Sequence, residues 1–266
     1  MTTNSELTTT QNGTGVLSPE DIALMQGDAG TNTDFKREDL AVPFLVIVQA
    51  TSGYVQRDDP DFIEAARPGH ILDTVNKVPR QHVLFVPCKF ETTYTEWKPN
   101  RGGLVKAWGN DSSKYDSSGT DFGKRTTAEG TEIVPSATYR GLMISETGDA
   151  TEVVINMNGT QFRKSRTLNA LINGAEETAP DGSKFSPPMY ARFYKLETVT
   201  EQNELGKWFG WKAETGGKVL SAGPAGKSIY MKAKALREQI EAGTARPTPT
   251  AAPTQGDQGD QGDLPF

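Results

Sequence analysis

Apolar positions cluster along this chain in runs whose spacing predicts individual elements. VPFLVIVQA (42–50) is a continuous apolar run bounded by polar residues, the pattern of a buried strand. HVLFVPCKFETTYTEW (82–97) is β-branched and aromatic throughout and predicts one long, curved strand or two strands joined by a bend near Pro87. YRGLMIS (139–145) and TEVVINMN (151–158) predict two further strands about a turn at Glu146 to Asp149. In SRTLNALING (165–174), a capping Ser165, apolar positions 168, 171 and 172 and a Gly174 stop predict a short helix. MYARFYKLETVT (189–200) and KWFGWKAET (207–215) predict two strands around a hairpin at 201–206. KSIYMKAKALREQIEAG (227–243) puts Ile229, Ala233, Leu236 and Ile240 on one helical face, which predicts a core-packed helix. Near the start, Ser18-Pro19-Glu20-Asp21 ahead of IALMQ is a helix-start signature for one or two turns ended by Gly27.

The central order of strand, strand, strand, short helix, strand, strand resembles that of the OB-fold, a five-stranded Greek-key barrel with its helix between the third and fourth strands. The expected class is therefore mainly β (α+β): an OB-like barrel, a C-terminal helix and disordered acidic tails. A β-sandwich, or an α+β fold without barrel closure, fits the same order. Residues 98–138 read as one long polar segment between the first two barrel strands.

At 35% hydrophobic, the composition is low for a wholly globular chain, and the ends account for the deficit. Residues 1–35 hold few large apolar side chains, and residues 243–266 (TARPTPTAAPT and onward) have almost none until the tip. The expected organisation is a disordered N-terminal segment (1–35) with a short helix, a folded domain (36–242) and a disordered acidic tail (243–266). No run of 18 apolar residues and no basic-then-apolar leader occurs, so a cytoplasmic protein without a membrane partner is expected. One cysteine, Cys88, with only His70 and His82 beside it, offers neither a disulfide nor metal-ligand spacing.

The net charge of −6 conceals an asymmetry. Residues 77–237 carry 23 Lys and Arg against 17 Asp and Glu, net +6, while residues 1–76 carry 4 against 12 and residues 238–266 carry 1 against 5. A basic middle flanked by acidic ends suits polyanion binding by the folded domain and competition by the tail for the same surface.

Candidate chemistry concentrates in YTEWKPNRGGLVKAWGNDSSKYDSSGTDFGKR. There Tyr94, Trp97, Trp108, Tyr115 and Phe122 alternate with Lys98, Arg101, Lys106, Lys114, Lys124 and Arg125 in a matrix of Gly, Ser and Asn. Single-strand binders need this mixture, because every base offers a π-face and the phosphates need cations that follow the backbone. The competing reading folds Trp97 and Trp108 into a local mini-core. FRKSR places Arg163, Lys164 and Arg166 ahead of the short helix, whose N-terminus adds positive potential. KWFGWK places Trp208 and Trp211 on opposite faces of a strand, so at most one is buried and the other is free to stack.

Enzymatic readings are weaker. Asp58, Asp59, Asp61 and Glu64 flank a proline turn, where acids are commoner as surface residues than as nuclease ligands. LSAGPAGKSIYMKA is similar to a phosphate-binding P-loop at Gly226-Lys227-Ser228, but Ser221 stands where the pattern asks for Gly and only one helix follows. No Ser-His-Asp set or Cys-His pair can be assembled, so a non-catalytic protein without cofactors is expected.

The last residues are three Gln-Gly-Asp repeats and then Leu264-Pro265-Phe266. An acidic, flexible tail with this tip resembles that of bacterial and short-tailed-phage single-stranded DNA-binding proteins, in which an OB barrel precedes a tail of aspartates ending on Ile-Pro-Phe. The aspartates are spaced here and Leu replaces Ile. The resemblance implies single-stranded DNA as ligand. It also implies recruitment of replication or recombination proteins through Asp263, Leu264, Pro265 and Phe266. Gln261 to Phe266 is similar as well to the Q-x-x-L-x-F peptides that hook replication proteins onto the sliding clamp. The reading is thus a sequence-nonspecific single-stranded DNA-binding protein of phage replication, recombination or repair. The alternative is a strand-annealing or clamp-binding replisome adaptor, and homo-oligomer formation is left open.

Overall fold

The computed structural model describes residues 18–28, 41–121, 124–204 and 206–243. Two units divide the chain, residues 1–40 and 41–266. In the first, helix α1 (Pro19–Gly27) opens on a reciprocal capping box. The Ser18 hydroxyl accepts the Asp21 N–H at 3.1 Å, and an Asp21 carboxylate oxygen accepts the Ser18 N–H at 3.2 Å. None of the side chains of α1 is buried.

The second unit is mainly β, built of antiparallel sheets with three helices among the described residues. Its strands are β1 (Leu45–Ile47), β2 (Ile71–Asp73), β3 (Pro79–Arg80), β4 (His82–Trp97), β5 (Leu104–Gly109), β6 (Gly119–Asp121), β7 (Lys124–Thr126), β8 (Glu132–Ile144), β9 (Ala150–Asn158), β10 (Glu177–Thr178), β11 (Lys184–Phe185), β12 (Arg192–Asn203) and β13 (Gly206–Lys218). The helices are α2 (Ser113–Ser117), α3 (Phe162–Asn173) and α4 (Gly223–Glu241). The large sheet runs β13, β12, β4, β8, β9, so that β4 is central, with β12 beside its first half and β5 beside its second.

The apolar run of β4 forms one strand of 16 residues, bent by a register shift between Pro87 and Lys89. Val83 and Phe85 face the inner core before this bulge and Phe90 faces it afterwards, so the inserted residue keeps apolar side chains inward as the sheet coils. Opposite the bulge, Gly141 admits the β4 backbone: a Cβ there would lie 2.3 Å from the Val86 carbonyl oxygen. The inner core gathers Phe85, Tyr139, Ile155, Tyr194, Leu196 and Trp211, closed at one end by Leu168 of α3. On the outer face α4 lays Ile229, Ala233 and Leu236 over Val86, Cys88, Leu142 and Ile144, the helical face expected from its spacing. A third cluster packs Phe44, Val46, Val48 and Leu72 around Val154.

The strands follow the anticipated order, β4, β8, β9, α3, β12, β13, but backbone pairing does not close them into a barrel. Among the described residues no ladder joins β9 to β13. The seam is filled instead by residues 43–48 and by two buried glutamines, Gln49 and Gln161. Phe44 bridges Val154 in parallel, and Val154 N–H donates to the Pro43 carbonyl. Along the free edge of β13, the Gln49 amide accepts the Phe209 N–H and donates to the Phe209 carbonyl, both at 2.8 Å. The Gln161 amide accepts the Trp211 N–H at 2.9 Å and donates to the same carbonyl at 3.2 Å. A primary amide carries the same donor and acceptor as a peptide unit, so these side chains imitate a neighbouring strand.

Two further expectations need correction. The polar segment 98–138 holds β5, α2, β6, β7 and the first half of β8. The helix expected at Ser165 begins at Phe162; Ser165 is buried inside it and donates to the Phe162 carbonyl rather than capping. Gly226 is the fourth residue of α4 and packs against Val219, where a Cβ would lie 2.0 Å from the carbonyl oxygen, so this glycine serves helix packing.

Candidate nucleic-acid interface

The connection from β4 to β8 is an arm of short elements rather than a loop. β5 returns along the end of β4 with two register shifts, and at the second residue pair Trp108 is the extra residue between Ala107 and Gly109. Gly109 there adopts φ 60°, a left-handed conformation that a side chain would resist. A bulge re-aims the side chain it inserts. Trp108 is only partly buried, its indole N–H donates to Glu96 Oε2 at 3.0 Å, and the Lys106 ammonium lies 3.6 Å from its ring centre. Glu96 is 7% exposed and accepts the Thr131 hydroxyl on its other oxygen at 2.5 Å, which ties β4, β5 and the turn before β8 together. Further along the arm, Tyr94 and Tyr115 stack at 5.1 Å with their planes 38° apart, and the Arg125 guanidinium sits 4.5 Å over Tyr115. Burial first, and the Asp116 charge second, raise the Tyr94 hydroxyl above its ordinary value and keep it neutral. Trp97 remains half-buried, its N–H donating to the Thr95 hydroxyl at 2.9 Å.

The second cluster forms where β9 leaves the sheet. Asn158 pairs with Ser136, which pairs with Thr93, so the start of α3 lies two strands from the base of the arm. Arg163, Lys164 and Arg166 fall inside the first turns of α3, not ahead of it. That turn has no acidic residue and no side-chain cap, so three cations sit at the positive end of a helix, an arrangement that local stability disfavours. Lys164 bonds Glu201 of β12, whose other oxygen accepts the Trp208 indole N–H at 3.0 Å. Trp208 is partly exposed, whereas Trp211 is 4% exposed and belongs to the inner core. Of the two candidate stackers on β13, Trp211 is therefore excluded by packing.

Ion pairing sorts the remaining cations. Lys114, Lys164, Lys195, Lys212 and Lys218 are paired with carboxylates. Among the described residues Lys98, Lys106, Arg125, Arg163, Arg166 and Lys207, on the arm, on α3 or beside Trp208, have no carboxylate within ion-pair distance; Arg57, Arg67, Lys227 and Lys232 share this property elsewhere on the chain. The side chains of Arg101 and Lys124, Phe122, and the tail with Asp263, Leu264, Pro265 and Phe266 lie outside the described residues.

The sequence profile of the Pam3 phage gp34-like protein family matches residues 11–246. The chain belongs to that family. The matched span takes in α1, the arm, α3 and α4, and ends ahead of the Gln-Gly-Asp repeats. Comparison with curated proteins and with solved structures finds no match. The family description places the chain among phage proteins without assigning a ligand. Among the described residues no cluster of His, Cys, Asp and Glu could hold a metal ion, and Asp61 of the acidic stretch is paired with Lys77. No described helix is long and apolar enough to cross a membrane.

Sequence reasoning named the rings and cations but missed Glu96. Its one local signal is a carboxylate embedded in the β-branched and aromatic run TTYTEW, where an exposed acid has no packing reason to be.

Proposed function

We propose that this protein binds single-stranded DNA without sequence preference and without catalysis, in the replication, recombination or repair of a phage genome. The observation that carries the reading is the coincidence of partly exposed rings with cations that have no carboxylate partner, on an arm whose described residues include no buried apolar side chain. Unneutralised cations beside rings suit phosphates and bases at once. The strand order adds to this, because OB-folds bind oligonucleotides with the face of their second and third strands and with the loops joining strands 1 to 2 and 4 to 5. In this chain those loops are the arm and the β12–β13 hairpin beside Trp208. On this reading the sheet is an OB-like variant left open between β9 and β13, where Gln49 and Gln161 bond the β13 backbone. The Leu-Pro-Phe tip recruits replication proteins, and the acidic tail competes with DNA for the unpaired cations.

The test is a titration with a poly-pyrimidine single strand followed by intrinsic tryptophan fluorescence. Quenching that saturates at a fixed nucleotide count is expected, with log affinity falling against log salt by about 0.7 per phosphate neutralised. Trp108→Ala and Trp97→Ala weaken binding by about 1–3 kcal/mol each if the rings stack. No quenching at low salt, or equal affinity for duplex, overturns the proposal.

A further inference from the structure

Lys106 lies directly across from Glu96 in the β4–β5 register, yet the two do not form an ion pair. The carboxylate takes the Trp108 N–H and the Thr131 hydroxyl instead, and the ammonium rests on the Trp108 ring. The two partners of that ring differ in how firmly they are held. Glu96 is buried and doubly bonded, so the indole edge is anchored from β4. Lys106 is exposed, forms no ion pair among the described residues, feels the charge of Asp111 only at longer range, and rests on the ring face.

We propose that Lys106 is a displaceable cap on Trp108: in the free protein it occupies the ring face that a base takes over in the complex, and the released ammonium then pairs with a phosphate of the same strand. The inference rests on the single-strand reading above and specifies how one of its contacts works. Magnitudes favour the exchange. An exposed cation–π contact is worth about two- to five-fold in an equilibrium constant, whereas a stacked base is worth about 5- to 150-fold. A base therefore displaces the lysine, and the lysine keeps its charge for the backbone that arrives with the base. Arg125 over Tyr115 repeats the arrangement at longer range.

The experiment measures binding of a labelled oligothymidylate by anisotropy from low to high salt. It uses the full chain, Lys106→Gln and Lys106→Arg. Losing a phosphate partner makes the salt slope of Lys106→Gln shallower by about 0.7 and weakens binding at low salt. Losing the cap frees the ring in advance, so at high salt, where the phosphate contact is screened, Lys106→Gln binds about two- to five-fold tighter than the parent. The two lines cross. Lys106→Arg, which retains both the charge and the ability to cover the ring, keeps the parent slope and does not cross. Parallel lines overturn the proposal, and so does a shallower slope without a crossing, which makes Lys106 a plain phosphate contact. Absence of binding by the parent at low salt overturns the single-strand reading itself and the cap with it.

Discussion

Replacing Gln161 by Met tests whether a side chain stands in for a missing strand. The substitution preserves volume and removes both polar functions of a residue that is 5% exposed. Trp211 N–H then loses its acceptor at 2.9 Å inside the core, while the Phe209 carbonyl keeps the Gln49 amide as donor. One orphaned buried donor costs about 1–3 kcal/mol. For a domain of this size each kcal/mol moves the thermal midpoint by about 2–4 °C, so a fall of about 2–12 °C is expected. Gln49→Met orphans the Phe209 N–H and has a similar effect. The double variant also strips the Phe209 carbonyl of both donors, so its loss exceeds the sum of the single losses. Urea denaturation with tryptophan fluorescence gives all three values. A Gln161→Met stability within about 0.5 kcal/mol of the parent, or strict additivity in the double variant, refutes the reasoning.

Trp211→Ala is expected to lower stability by about 3–5 kcal/mol with no specific effect on DNA affinity, while Trp108→Ala does the reverse; comparing melting curves with binding isotherms separates the two roles. Burial pushes the Cys88 thiol up to about 12, so it should resist a thiol reagent in the native state and react only on unfolding, as labelling with and without urea will show. Hydrogen bonds from Lys195, and next from Lys212, hold the Glu197 carboxyl at about 2. A depressed carboxyl contributes stability above its unfolded value, and that contribution is lost as pH falls from about 4.5 towards 2. The pair is exposed, so the effect is small. Thermal midpoints between pH 6 and 2 should converge for the parent and Glu197→Gln as acid is added, and parallel curves would show that the bonds are inert.

Where an element is built on the core, its apolar spacing was legible. The buried faces of β4, β12, β13 and α4 are spaced by strand or helix period, and each occurs where that spacing places it. The arm was not legible because its strands pair beyond the core. Leu104 and Val105 are 46% and 47% exposed, and Pro135 interrupts the β-propensity of the residues opposite Tyr94. Alternation put Trp208 and Trp211 on opposite faces without saying which was inward, a choice made by the packing of Met157 and Leu168 from other elements. Ser165 imitates a helix cap in sequence. It is an interior residue because the helix starts three residues earlier, at Phe162, and its hydroxyl bonds back to the Phe162 carbonyl. The roles of Gln49 and Gln161 depend on partners 160 and about 50 residues away, which no local pattern can announce.

That separation also bears on synthesis. The apolar segment 42–50 leaves the ribosome well before the β9 and β13 edges that cover it. At about 5–20 residues per second the 160 residues between Gln49 and Phe209 take about 8–30 s to translate. Chain collapse takes microseconds, and β2 can pair with β1 soon after it emerges, but until β9 and β13 are made the side of VPFLVIV away from β2 remains an uncovered apolar edge. Self-association of nascent chains, or shelter by a chaperone, is decided in this window. The run most plainly marked as core in the sequence thus meets β2 early but waits for β9 and β13 before its core is complete.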